Sequence, residues 1–534
     1  MSKQELMVYS PYTREQIDNI PMHNMQDAER MIATAYTVFK DSKQHIPYHE
    51  RISILERLIP MMEKSVESLT IMATKEGGKP YLDSKVEVLR AIQGIKSAID
   101  TMRTMHGHEV PMGLTASSQH RLALTMHEPI GVVFAISAFN HPLNLIVHQV
   151  IPAIAAGAPV IIKPASSTPR TCLTFIDMIH DAGLPKEWCQ VLICHSSIAQ
   201  QMVSDSRIAF LSFIGSGEIG WTLRSLLAPG MRCALEHGGM APSIIAEDAL
   251  TEEYLEKIVK GAMYHSGQVC VSTQHVYVHE SQSEELLLSL KQRVEQFKIG
   301  DPLSAETEGG PLIHPKEVQR VHTWINEAVN QGARKICGGE AMSETLYAPT
   351  VLYNPSVHSQ VTNQEVFGPV LCVHSYDSLD EAIQRINTTP FGFQASVFTK
   401  NTDIAFKVMK SLNASAVIRE KKCSYLIHQI YIVEAFMKCY MVNIALPEEY
   451  TPEFLSLIPS QRAYINKLMG RGVVSTYTLS LDRTTLWVTM FGDNSEDIES
   501  YLDRFPMKDF MDFEIVEAMF HHNAAHYVFP MSLN

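Results

Sequence analysis

Cys270 stands in YHSGQVCVSTQHVYVH, between a turn at Gly267 and the apolar alternation VSTQHVYV. A thiolate attacks carbonyl carbons readily and leaves readily, so a cysteine in such a setting is a candidate covalent nucleophile. The competing reading is an inert core thiol, since free cysteine is among the most buried residue types. Glu236, in LEHGGMAPSII, offers a carboxylate at a tight Gly-Gly turn beside a strand, either as a base or as a plain surface charge. It also falls near the place, about 20 positions after a glycine-rich turn, where a dinucleotide fold wants an acid for the ribose hydroxyls. That turn is GSGEIG at 215–220, which follows an apolar run and precedes the helix-compatible WTLRSLL; its alternative is a turn without a ligand. Lys163 closes the apolar run PVIIK at a strand's C-terminal edge, where ligands bind in open α/β sheets, and an ammonium there must find an anionic or polar partner. Asn140 in FNHPLN follows the run GVVFAIS, which makes it an oxyanion donor or a turn former.

The elements that must hold these groups are legible as patterns. From Asp27 to Thr104 apolar residues recur at helical spacing, with a stop at Gly77 and Gly78. Beyond them GVVFAIS, APVIIKP, AFLSFIG and PSIIAE alternate with amphipathic stretches such as TPRTCLTFIDMIHDAG, which predicts a buried parallel sheet. A second α/β stretch runs from Thr251 to Val417. The tail differs: MVNIALP (441–447) reads as a strand, 451–472 as a helix, VVSTYTLSL and TTLWVTMFG as a hairpin over Leu481–Arg483, 495–505 as a helix and 511–520 as a last strand. That βαββαβ order is the ferredoxin-like unit.

The 534 residues fit about three domains. With 44 Lys and Arg against 58 Asp and Glu the formal charge is −14, which excludes a protein that coats nucleic acid, because such affinity rests on clustered cations. Small molecules are the expected partners. The N-terminus carries charge where a secretory signal needs an apolar run, and no apolar stretch approaches a membrane span, so no membrane partner and a cytoplasmic setting are expected. Nine cysteines lie scattered without a CxxC pair, which fits neither a disulfide framework nor a zinc ribbon, and no metal is expected.

Taken in order, EPIGVVFAISAFNHPLN, PAIAAGAPVIIKPASSTP, FIGSGEIG, LEHGGMAPSII, GQVCVSTQHVYVH, GDPLSAETEGGPLI, QEVFGPVL and FGFQASVFT resemble the NAD(P)-dependent aldehyde dehydrogenase superfamily over residues 7–417. The resemblance implies a Rossmann-type cofactor domain with an α/β catalytic domain. It implies Cys270 as nucleophile, Asn140 with the Cys270 backbone N–H as oxyanion donors, and Glu236 as the base of deacylation, which displaces the ribose reading of Glu236 and favours a free acid as product. For the cofactor it implies Lys163 on the adenosine ribose, Gly215 and Ser216 beside the pyrophosphate, Glu365 on the nicotinamide ribose, and Phe367 next to it in QEVFGPVL. Many NAD-preferring members carry Glu three positions after the lysine; here it is Ser166, so NADP should be tolerated as well as NAD.

The departures are as informative. His275 stands where the family commonly has Arg, and His237 replaces the Leu of Glu-Leu-Gly-Gly. After NASAV (413–417) the family continues into an Asn-bearing strand, a Pro-Phe-Gly-Gly segment and an oligomerisation strand, whereas this chain reads IREKKCSYLIHQIYIVEAFMKC. The tail resembles the muconolactone isomerase-type dimeric α+β barrels, on its topology and its MDFEI ending; His521, His522 and His526 beyond it read as solvated. The expected organisation is therefore an N-terminal helical and dinucleotide-binding domain over 1–235 with an interface hairpin near 118–130, a catalytic domain over 236–417, an atypical junction over 418–437, and an isomerase-like domain over 438–534 in a homo-oligomer. The alternative is an impaired fusion product whose tail is a small-molecule binding or dimerisation module.

Overall fold

Val132–Ile136, Val160–Lys163 and Ile208–Gly215 are short, largely apolar runs without polar alternation, the composition of strands covered on both faces. In the computed structural model, which describes residues 4–249, 252–389, 392–420, 438–447, 450–470, 473–480, 484–492 and 495–517, they lie side by side in one parallel sheet. Its strand order is Cys189–Val191, Val160–Lys163, Val132–Ile136, Ile208–Gly215, Arg232–His237. The first strand in the chain thus sits between the second and the fourth. Connections leave it on both sides, which creates the switch point where open α/β sheets bind ligands beyond the strands' carboxyl ends. Helices pack on the sheet through two apolar clusters, one built on Ile54, Leu58, Ile95, Val150 and Phe175, the other on Ile32, Phe134, Ile161 and Met202.

The four helices of the entry segment are Met25–Lys40, Tyr48–Lys64, Val66–Gly77 and Tyr81–Thr104. Asn24 starts the first with a capping box to Asp27, and Gly78, at φ +72°, ends the third. An antiparallel hairpin, Glu5–Tyr9 with Gln16–Pro21, precedes them and was outside the expectation. The interface hairpin expected near 118–130 pairs Glu109–Val110 with Ala123–Leu124, so its first strand begins earlier in the chain. Leu114 and Met126 on this arm are more than four-fifths exposed.

The second parallel sheet follows directly from the first. Its order is Arg334–Cys337, Thr350–Tyr353, Val370–Tyr376, His275–His279, Pro242–Ile245, Gln394–Phe398, Ala416–Glu420, all parallel except the first pair. Contacts divide the chain into two compact units, Met1–Ser424 and Tyr425–Asn534. The second unit is a four-stranded antiparallel sheet in the order Val474–Leu479, Thr485–Gly492, Lys438–Ala445, Asp512–Glu517, with helices Pro452–Gly470 and Ser495–Leu502 packed on one face through Tyr440, Val442, Ile465, Leu468, Val488 and Ile498. The junction from 421 to 437, the turn at 481–483 and the three C-terminal histidines lie outside the described residues. Among the described residues no helix is long and apolar enough to cross a membrane.

Candidate active site

On the first sheet, Lys163 ends its strand half-buried, and its Nζ donates to the neighbouring Pro164 carbonyl at 3.3 Å. Burial lowers its pKa, as it must for an ammonium with little compensation. Ser166 is exposed in the turn that leads to the helix Pro169–Asp181. Gly215 ends the strand Ile208–Gly215, and the helix Gly217–Ser225 starts immediately after it. Ser216 is the N-cap but makes no side-chain cap bond, so the first N–H groups of that helix face outward from the sheet edge at the switch point. The glycines of GSGEIG also answer a packing need: a Cβ on Gly215 would come within 2.7 Å of the Phe213 ring, and one on Gly220 within 3.0 Å.

Asn140 follows the neighbouring strand Val132–Ile136 and is buried. Its Nδ2 donates to the Gln268 carbonyl at 2.9 Å, across to the loop that carries Cys270. Gln268 fastens that loop: its Nε2 donates to Pro311 O at 3.1 Å and His265 O at 3.3 Å, and its Oε1 accepts from Ile313 N at 2.9 Å. Ser266, at φ +53°, adds a bond from Oγ to Gly310 O at 2.5 Å. Gly239 N donates to Cys270 O at 3.3 Å, so the turn after Glu236 and the nucleophile's own peptide are joined.

Glu236 is the penultimate residue of the edge strand Arg232–His237. Burial raises its pKa. Glu365 approaches from a third segment, and its carboxylate lies against Gly238 so closely that a Cβ there would displace it. Burial pushes the Glu365 carboxyl up to about 7, against a smaller pull from Arg320. Phe367, two residues on, has φ +45°, a strained value for an aromatic residue, and its ring meets Phe139 edge-on at 5.8 Å. The Cys270 thiol is pushed up to about 12, first by burial and then by the charges of Glu365 and Glu236. The field of both carboxylates thus opposes ionisation of the Cys270 thiol.

The arrangement brings Cys270, Asn140, Glu236 and Glu365 together, and sets Lys163, Ser166, Gly215 and Ser216 along the ends of the adjoining strands. The residues that suit a dinucleotide are those with unfilled hydrogen-bonding capacity: Glu365 Oε1 is buried without a partner, where ribose hydroxyls would donate, and the open helix N-terminus suits a pyrophosphate. Among the described residues no group of three or more His, Cys, Asp or Glu is placed to hold a metal ion.

Several functional positions escaped the sequence reading. Gln274 donates to Val361 O at 2.9 Å and Gln364 O at 2.8 Å and accepts from Val366 N at 2.8 Å, which ties the nucleophile segment to both flanks of Glu365. His275, which stands where the family commonly has Arg, bonds through Nδ1 with His374 Nε2 at 3.0 Å in the core of the second sheet, and Tyr277 stacks on His374 at 4.9 Å. Lys79 and Glu87 form a buried pair behind Asn140. The signal for the glutamines was their place two residues before and four after Cys270; for Lys79, its place between Gly78 and Pro80 at a helix boundary.

A profile of the aldehyde dehydrogenase family matches residues 1–428. A 3-sulfolactaldehyde dehydrogenase of Priestia aryabhattai is 32% identical over 424 residues, covering 79% of this chain and 88% of that protein. Among solved structures, an aldehyde dehydrogenase of Physcomitrella patens in complex with the reaction product succinate is 29% identical with a TM-score of 0.76, over 78% of this chain and 87% of that one. A glyceraldehyde-3-phosphate dehydrogenase of Methanocaldococcus jannaschii complexed with NADP is 27% identical with a TM-score of 0.74, over 78% of this chain and 91% of that one. The chain belongs to the aldehyde dehydrogenase family and is an NAD(P)-dependent aldehyde dehydrogenase.

Proposed function

We propose that the enzyme oxidises an aldehyde to the free carboxylic acid, with Cys270 as nucleophile, Asn140 as oxyanion donor and Glu236 as base. The observation that carries the reading is the Asn140 Nδ2 bond to Gln268 O, 2.9 Å, which puts a carboxamide with a second N–H beside the loop that carries Cys270, itself joined to the turn after Glu236 by the Gly239 N bond to Cys270 O. The thiol loses its proton to solvent as sulfur adds to the carbonyl carbon, and the Glu236 carboxylate stays free for the second half of the reaction. The oxyanion of the thiohemiacetal is held by Asn140 and the Cys270 N–H, a contribution of about 2.7–4 kcal/mol per donor in comparable sites. Collapse of the oxyanion breaks the C–H bond, expels its hydrogen as hydride and leaves a thioester on Cys270; NAD(P)+, when bound, would accept that hydride, and Lys163, Ser166, Gly215, Ser216, Glu365 and Phe367 would hold the cofactor. Glu236 then takes a proton from water as the water oxygen attacks, and the thiolate departs. Glu236→Gln tests this order: one equivalent of reduced cofactor per site should form quickly and further turnover should nearly stop. Unchanged steady turnover would remove Glu236 from the role.

Residues 438–534 are read as a ferredoxin-like domain of the muconolactone isomerase type, serving as a dimerisation or small-molecule binding module. The support is its strand order, second-third-first-fourth, and a sheet face with Trp487 41% and Val516 47% exposed. A second reading, an impaired fusion product, draws on the exposed arm at 109–124 and on the absence of the family's oligomerisation strand after Val417. Expressed alone, 438–534 should be soluble and dimeric. The complete chain should be a cytoplasmic homo-oligomer with turnover; a monodisperse, folded but inactive chain would favour the second reading.

A further inference from the structure

Lys79 and Glu87 take part in no step above, yet both are charged and their side chains are 1% and 0% exposed. They pair with each other. A buried ion pair contributes little net stability relative to apolar side chains of the same size, so stability does not account for it. Direction does. Glu87 Oε1 accepts from Leu143 N at 2.8 Å and Asn144 N at 3.0 Å, at the start of the helix Asn144–Ala156, and Lys79 Nζ donates to Asn140 O at 3.3 Å. Beyond the pair itself, these bonds converge on the turn 140–144, from which Asn140 reaches the nucleophile loop. The neighbouring His265 is fully buried, and burial and then the Lys79 charge hold it neutral, so it brings no competing cation.

We infer that Lys79 and Glu87 are positioning residues of the oxidation: the pair clamps the 140–144 turn at its two ends and so aims the Asn140 carboxamide at the substrate oxygen. The inference rests on the reading of Asn140 as oxyanion donor. Lys79→Met with Glu87→Gln removes both charges together and leaves an amide oxygen for the two helix N–H groups, which avoids an unpaired buried ion. This double variant should melt close to the parent yet lose about 100-fold in kcat, the cost of a misplacement of about 1 Å. NADP+ affinity by fluorescence titration and the iodoacetamide rate at Cys270 should not move. Added to Asn140→Ala it should cost less than about 3-fold more, because the two changes act through one group. A further loss equal to its loss in the parent, or near-native kcat in a folded double variant, would overturn the inference. If the double variant does not fold, Glu87→Asp alone decides, since it keeps a charge opposite Lys79 and withdraws the carboxylate by one methylene from Leu143 N and Asn144 N: a loss of about 10-fold in kcat supports the clamp, and full activity overturns it. An Asn140→Ala enzyme with near-native kcat would instead remove the oxyanion reading on which the clamp depends.

Discussion

On the first sheet, Lys163 makes a single long bond to its own neighbour, Ser166 is exposed and Ser216 caps nothing. On the nucleophile side, Gln268 and Gln274 are buried with both ends of their carboxamides bonded to backbone. The two sides of one site are thus built to different requirements. Groups that receive a ligand keep hydrogen-bonding capacity in reserve, since a partner already in place would have to be displaced. Groups that do covalent chemistry are held from several directions, since the reaction tolerates little error in their placement. Substitutions should accordingly be graded on the first side and steep on the second.

The steepest case is Cys270→Ala. Loss of a nucleophile should lower kcat by at least about 10⁴-fold, with NAD(P)+ affinity nearly intact because the adenosine ribose and pyrophosphate positions, Lys163, Gly215 and Ser216, lie on the other side and Cys270 is assigned no cofactor contact. Aldehyde-dependent cofactor reduction and a binding titration measure both. Residual turnover within about 100-fold of the parent would assign the chemistry to another residue.

Gln268→Leu and Lys163→Ala test the contrast as a pair. The first leaves buried groups, Ile313 N among them, without partners, at about 1–3 kcal/mol each, and should lower both melting temperature and kcat. The second should leave the melting temperature where it is and raise the KM for the cofactor. If Lys163→Ala unfolds the protein more readily than Gln268→Leu, the two sides do not differ as described.

How legible each side was follows from the same contrast. Lys163, Gly215 and Cys270 announce themselves because strand ends, glycine turns and a nucleophile's setting are local patterns. The locks are not local: Asn140 meets Gln268 across 128 positions and Gln274 meets Gln364 across 90, so sequence shows two polar residues where the fold makes hubs. His275 reads as a departure from Arg, and only the parallel register, His275 opposite Cys372, brings it to His374. The N-terminal hairpin was missed for a related reason, since ELMVY and QIDNIP are too short to show a period without their pairing. The tail's strands and helices were legible because its hydrophobic alternation is complete within each element.

The histidine pair extends the locked side and gives it a pH signature. Burial pushes His275 down to about 3 and holds His374 well below its ordinary value, so both are neutral in the fold and free to protonate when unfolded. Below about pH 6.5 the unfolded chain then binds more protons than the folded one, and stability falls as pH drops toward 3. Glu365 and Glu76, each raised by burial to about 7, act with the opposite sign between about 4.5 and 7. The measurement is therefore a difference. His275→Asn with His374→Asn should be less sensitive to acid than the parent by a few kcal/mol between pH 6.5 and 4. Parallel curves would mean that the pair is not held neutral.

The smallest expected effect is on the open side, at Ser166→Glu. Position 166 is exposed, so water screens any charge placed there. Two unit charges about 4 Å apart in water interact by about 1 kcal/mol, and a 2′-phosphate carries nearly two. The kcat/KM for NADP+ should fall about 10-fold relative to that for NAD+, whose ribose hydroxyls can donate to the new carboxylate. The change should reside in KM, with kcat for each cofactor within about 2-fold of the parent, because nothing on the nucleophile side has moved. Salt provides the internal control: raising the ionic strength from 0.01 to about 0.5 M shortens the screening length well below the span of the site and should shrink the discrimination. A ratio that changes equally at both salt concentrations would point to steric exclusion of the phosphate, and an unchanged ratio would show that position 166 faces away from the adenosine ribose.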